Sequence, residues 1–161
     1  MTADVTAEQA TVPRLVHEFS FRASLAPPVE IGEGAAGTRT YFQVLGGRAW
    51  GPRFNADVLP GGGDWLLIGS DGFSRLDVRA QFRTDDGAAV YVQYQGLLEL
   101  NEAVATALGT GASTGFDDQY FRTTPRFETG DDRYAWLQQH VFVGQGHIVD
   151  GTVEYQVYRV D

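Results

Sequence analysis

The chain is predicted to be all-β, a closed or nearly closed antiparallel β-barrel with one or two short helices. Three observations carry this. Glycine is abundant, 20 of 161 residues, and turn signals recur along the whole chain. Between the turns lie short runs rich in Val, Tyr and Phe, with aromatics at 12%, the pattern of many strands joined by tight turns. Finally, one sequential series of short strands favours a barrel or sandwich, and closure removes exposed strand edges.

Residues 1–13 are polar, carry no basic stretch followed by an apolar one, and read as a flexible tail rather than a secretion signal. Residues 14–161 form one β-barrel domain, a size that suits a single core. Leu15, His17, Phe19, Phe21, Ala23 and Leu25 share one parity, predicting a first strand that Pro27-Pro28 ends. Further strands are predicted at 39–45, 49–59, 65–69, 73–84, 88–100, 119–127, 140–149 and 152–160. A three-residue loop at Asp85-Asp86-Gly87, with Gly87 left-handed, pairs Phe82 with Val90, Ala80 with Val92 and Val78 with Tyr94. A two-residue loop would set polar against apolar residues throughout. A second hairpin turning at Asp150-Gly151 sets Ile148 opposite Val153 and His147 opposite Glu154. Asn101 caps a short helix, 102–108, that Gly109 stops. The glycine-rich 109–115 segment then has little to fix it and reads as a mobile connection or a lid. A second helical turn is predicted at 131–139.

Composition excludes several chemistries. The chain has no cysteine and no lysine; all 12 basic residues are arginine, against 21 acidic ones, for a net charge of −9. Thiol nucleophiles, zinc-thiolate sites and Schiff-base catalysis are therefore absent. So negative a chain repels phosphate backbones, which argues against nucleic acid as a partner. No apolar run approaches the ~18 residues of a membrane helix. The expected location is cytoplasmic. His140 and His147 lie seven apart on one predicted strand and so face opposite sides. With His17 they form no ligand spacing, and no metal site is expected. Gly69-Ser70-Asp71-Gly72 reads as a turn, the 109–115 segment follows a helix rather than a strand, and a strand continues after Gly144-Gln145-Gly146, so no nucleotide cofactor is expected.

Three groups of residues are candidates for function. In Pro60-Gly61-Gly62-Gly63-Asp64-Trp65, glycines precede a carboxylate and a large aromatic. This is a tight turn with a core Trp, or a place where Trp65 packs on a ligand and Asp64 handles a proton. Next, Arg122, Thr124, Arg126 and Glu128 share a face of an extended chain. Such a row is a solvated face or, turned into a cavity, an anion grip by Arg122 and Arg126 beside a Glu128 acid or base. The row Asp77, Arg79 and Gln81 facing Gln95, Gln93 and Tyr91 lies outside a small barrel or makes a polar pocket.

Across nearly the whole chain, from about 16 to 160, these segments resemble one family. Gly51-Pro52-Arg53, Pro60-Gly61-Gly62-Gly63-Asp64-Trp65, Arg83-Thr84-Asp85-Asp86-Gly87, Phe121-Arg122-Thr123-Thr124-Pro125-Arg126-Phe127-Glu128 and Tyr134-Ala135-Trp136-Leu137 are similar to the motifs of the domain-of-unknown-function family 3237, also called the uncharacterised protein family 0311. The resemblance implies an antiparallel β-barrel and no general activity. Gln138 departs from the Asn the family is expected to carry there.

The function expected is a cavity-bearing barrel that binds a small organic ligand. One reading is a cofactor-free isomerase, cyclase or lyase. In it Arg122 binds an oxygen, Glu128 or Asp64 moves the proton, and Trp65, Trp136, Arg126 and Tyr94 line the ligand. The other is a carrier for a hydrophobic metabolite. A third is a homo-oligomeric scaffold whose aromatics form subunit contacts.

Overall fold

Pro27-Pro28 and Pro60-Gly61-Gly62 are two breaks in strand character, and they divide two of the eight staves of a closed antiparallel barrel. The computed structural model describes residues 10–161; residues 1–9 of the expected tail lie outside them, and 10–13 are irregular and exposed. The strands are β1 (Leu15–Leu25), β2 (Val29–Gly34), β3 (Gly37–Trp50), β4 (Ala56–Val58), β5 (Gly63–Ile68), β6 (Phe73–Thr84), β7 (Ala89–Glu99), β8 (Phe121–Glu128), β9 (Phe142–Val149) and β10 (Thr152–Val160). Helix α1 (Glu102–Thr110) follows β7, and a 3-10 helix (Asp132–Gln138) follows β8.

Round the barrel the order is β1-β10-β9-β8-β7-β6-β4-β3, and β3 pairs back with β1. The long β3 holds β1 and then β2 along one side, and β4 and β5 along the other. Both hairpin registers match the spacing of their turns. In the first, Phe82, Ala80 and Val78 oppose Val90, Val92 and Tyr94, while Gln81, Arg79 and Asp77 oppose Tyr91, Gln93 and Gln95 on the outer face. In the second, Ile148 opposes Val153 and His147 opposes Glu154.

The first strand does not keep one parity. A bulge at Glu18 shifts its register on β10 between His17 and Phe19, so Leu15 and His17 face out while Phe19, Phe21 and Ala23 face the core. The extra residue gives Glu18 a buried position, where it accepts from Arg53 Nε (3.0 Å) and Nη2 (2.8 Å) and from Arg159 Nε (2.8 Å). The Arg53 bonds foremost, and the one from Arg159, hold its carboxyl below the usual range against the opposing effect of burial. Arg53 also lies 3.6 Å over the Trp136 ring. These groups clamp the end of the barrel that the 3-10 helix covers.

That end is solid. Phe19, Phe54, Phe82, Phe127 and Phe142 pack edge to face or tilted at centroid distances of 4.5–6.5 Å, with Leu137 of the 3-10 helix buried among the core residues. Each buried Phe contributes about 2–3 kcal/mol by transfer. The other end, beside α1, is not filled. Among the described residues no helix is long and apolar enough to cross a membrane.

Candidate functional site

Alternation along the strands leaves a cavity of about 410 Å³ in the α1 half of the barrel. Most of its wall is aliphatic or aromatic, for example Val44, Leu66, Leu76, Val78 and Ile148. Exposed Glu30 and Leu108 mark its outer end. Among the other lining residues, the polar groups belong to Thr40, Asp64, Ser74, Tyr94 and Tyr155.

Asp64 enters the cavity because of how β5 begins. Gly62 has φ +75° and sits so close to β6 that a Cβ would fall 2.2 Å from the Arg79 carbonyl oxygen, so only glycine fits. Asp64 then pairs with Phe42 and Val78, both cavity residues. The β5–β6 ladder runs from Gly63–Arg79 to Asp64–Val78 and resumes at Leu67–Arg75 and Ile68–Ser74. Side chains serve the backbone groups in the interval. The Asp77 amide donates to Asp64 Oδ1 at 3.0 Å, and Arg39 Nη1 donates to the Trp65 carbonyl at 2.7 Å. Burial pushes the Asp64 carboxyl up to about 6. The Asp77 amide and the more distant Arg39 act the other way, while the Asp77 charge adds to the rise. A carboxyl so placed exchanges a proton near neutral pH.

Tyr94 stands on the far side of Val78 from Asp64, since both pair with that residue. Two strand spacings put their backbones about 10 Å apart. Tyr155 comes from the opposite wall, and its ring lies 5.5 Å from that of Tyr94 at 69°. Phe21 stacks on Tyr155 at 4.8 Å and Phe121 meets it edge-on at 5.4 Å. Opposite Tyr155 on β9 is Gly146, where a Cβ would lie 2.7 Å from the Phe121 ring; the missing side chain makes room for that ring. The two phenols are almost fully buried. Burial raises both hydroxyls above the ordinary tyrosine range, and the negative charge of Asp64 adds to the effect.

The sequence-predicted residues are thus separated. Asp64 and Tyr94 both line the cavity. Trp65, the next residue along, faces out, its ring 5.0 Å from Tyr41. Arg122, Arg126 and Glu128 alternate outward from β8, while Phe121, Thr123, Pro125 and Phe127 point in. Arg122 lies 5.3 Å from the Tyr120 ring and donates to the Phe121 carbonyl. Arg126 and Glu128 line a groove on the outer wall with His140 and Gln138; Gln138 Nε2 donates to the Thr129 carbonyl. Trp136 belongs to the clamp at the closed end. Tyr155 was not singled out by sequence, although it shares the parity of Val153, whose partner Ile148 is core. Among the described residues no cluster of three His, Asp or Glu side chains is arranged to hold a metal.

The family model described as "Protein of unknown function (DUF3237)" matches residues 13–160. A UPF0311 protein of Clostridium acetobutylicum is 35% identical over 143 residues, 88% of this chain and 90% of that protein. The crystal structure of a conserved protein of unknown function from Rhodopseudomonas palustris superposes with a TM-score of 0.86 at 31% identity, covering 95% of this chain and 100% of that one. More distantly, the structure of an enzyme from Penicillium herquei shares the fold, with a TM-score of 0.73 at 20% identity over 96% of this chain and 99% of that one.

Proposed function

The chain belongs to the DUF3237 family, and we propose that it binds a small, largely apolar organic molecule in the barrel cavity and moves a proton on it with Asp64. The observation that carries this reading is the placement of the Asp64 carboxyl among apolar walls, where burial raises its pKa to about 6. A solvated carboxylate serving only the Asp77 amide would have no reason to titrate there. At pH 7 it is mostly ionised and acts as a base, and once protonated it is acid enough to return the proton. The apolar walls supply binding and exclude water, and isomerisation, cyclisation and elimination all fit such a site without a cofactor. The fold is compatible with catalysis, since the Penicillium herquei protein that shares it is an enzyme.

The test is an untargeted exchange experiment. The protein is incubated in D2O with a metabolite extract, and mass spectrometry identifies any compound that gains deuterium at carbon or is consumed. The proposal expects such a compound, at a rate that falls with an acid limb near pH 6 and by at least a hundredfold in Asp64→Asn. A compound that is retained on the protein unchanged, equally by both proteins, would instead support a carrier.

A further inference from the structure

We infer that the Tyr94–Tyr155 phenol pair is the oxygen-binding element of this cavity, and that the ligands it takes are neutral carbonyl compounds carried through an enolate. The inference rests on the proton-transfer reading of Asp64 and names the substrate class for it.

Four features lead there. The two phenols reach the same part of the cavity from opposite walls, Tyr94 from β7 and Tyr155 from β10, with their rings in contact. Each is more than nine-tenths buried, and among the described residues neither hydroxyl has a partner other than the other phenol. Buried hydroxyls normally satisfy their donors; two that share one contact have hydrogen-bonding capacity left for a ligand. Their rings are wedged by Phe21 and Phe121, so the donors are held in place before a ligand arrives. Preorganised donors of this kind gain most when charge develops on the atom they face.

The charge balance of the site selects the ligand. Among the described residues no Arg or His lines the cavity, while two carboxylates do, Asp64 in the wall and exposed Glu30 at the outer end. A phosphate or carboxylate ligand would meet repulsion with no cation to offset it, so the ligand is neutral. A neutral apolar molecule with an oxygen for two phenols and an acidic hydrogen for Asp64 is a ketone, an enone or a related carbonyl compound. Asp64 takes the proton from the carbon beside the carbonyl. The C–H electron pair becomes a carbon–carbon double bond, and the carbonyl π pair moves to oxygen, where the phenols stabilise it. Where the substrate has a double bond one carbon further on, return of the proton from Asp64 to the far carbon shifts that bond and regenerates the carboxylate. No other reagent is consumed.

Naphthalene and 2-naphthol separate the two layers of this account. Both are apolar and fluorescent, and the naphtholate oxygen on an unsaturated carbon stands in for an enolate. Binding is measured in Asp64→Asn, which keeps the acceptor for the Asp77 amide and presents a neutral side chain, as the protonated acid would. In that protein 2-naphthol should bind at least tenfold tighter than naphthalene, with the emission of the naphtholate. Adding Tyr94→Phe or Tyr155→Phe should weaken 2-naphthol by about tenfold, as loss of a hydrogen bond to a charged oxygen does, and leave naphthalene unchanged. Equal affinity for the two probes, or 2-naphthol binding untouched by both substitutions, would overturn the phenol pair while leaving the apolar cavity intact. Failure of naphthalene to bind would overturn the cavity reading on which the inference rests.

Discussion

At the scale of single residues, the site depends on one alternation. Asp64 and Trp65 are adjacent, and a strand sends neighbours to opposite faces, so the pair that looks like one binding unit in sequence is split by the wall. The same rule sends Arg122, Arg126 and Glu128 out, because Phe121, Thr123, Pro125 and Phe127 take the interior. Asp64 has a consequence for stability. Its carboxyl titrates at an ordinary value of 3.8 when the chain is unfolded and at about 6 when folded. A folded pKa above the unfolded one means that the neutral form is favoured by folding. The contribution of Asp64 to native-state stability is full below pH ~4 and is lost as pH rises through about 6. Keeping this carboxylate ionised in the folded protein costs about 3 kcal/mol at most. Asp64→Asn is therefore expected to be more stable than the parent by about 2 kcal/mol in urea at pH 8, with little difference at pH 4. A difference that grows toward low pH would mean that the carboxylate is a stabilising partner rather than a buried charge.

At the scale of elements, turns were legible and bends were not. Asp85-Asp86-Gly87 and Asp150-Gly151 each set a register that holds along the whole hairpin. At Gly87 φ is +95° and a Cβ would touch nothing, so Gly87→Ala isolates the backbone cost. It should destabilise by about 1–2 kcal/mol with an unchanged urea slope; an unshifted midpoint would contradict the turn. Strand β2 escaped notice because it is mostly exposed, follows two prolines and contains Gly32 and Gly34. The stretch predicted as one strand over 49–59 is interrupted at 51–55, where Asn55 binds the Gly51 backbone on both sides through its amide. Helix α1 runs through Gly109 to Thr110 and stops at left-handed Gly111. The 109–115 segment is not free: the Thr114 amide and hydroxyl bind Ile148, and the Thr114 carbonyl faces His147 Nδ1 at 2.6 Å. Those tertiary bonds have no signature in a run of Gly, Ser and Thr. The expected pair of His147 and Glu154 forms at 3.4 Å, alongside the stronger Arg22–Glu154 bonds.

At the scale of the whole molecule, aromatic packing divides the barrel in two. Phenylalanines fill one half, the Glu18–Arg53–Arg159 clamp and the 3-10 helix seal it, and the other half keeps its space. Alternation predicts such an interior but not how evenly it is filled, since that depends on rings contributed by strands far apart in sequence, such as Phe19, Phe82 and Phe127. The space that remains has the Asp64 carboxyl in its wall, and this couples ligand binding to pH. An apolar ligand removes water from Asp64, so it binds best when that group is neutral. Fluorescence titration of the neutral dye N-phenyl-1-naphthylamine from pH 4.5 to 8 tests this directly. The parent protein should bind the dye more weakly as pH rises, with a midpoint near 6, and Asp64→Asn should bind it with the same affinity throughout. Dye affinity that ignores pH in the parent protein, or that keeps the same midpoint in Asp64→Asn, would contradict a ligand cavity built around Asp64.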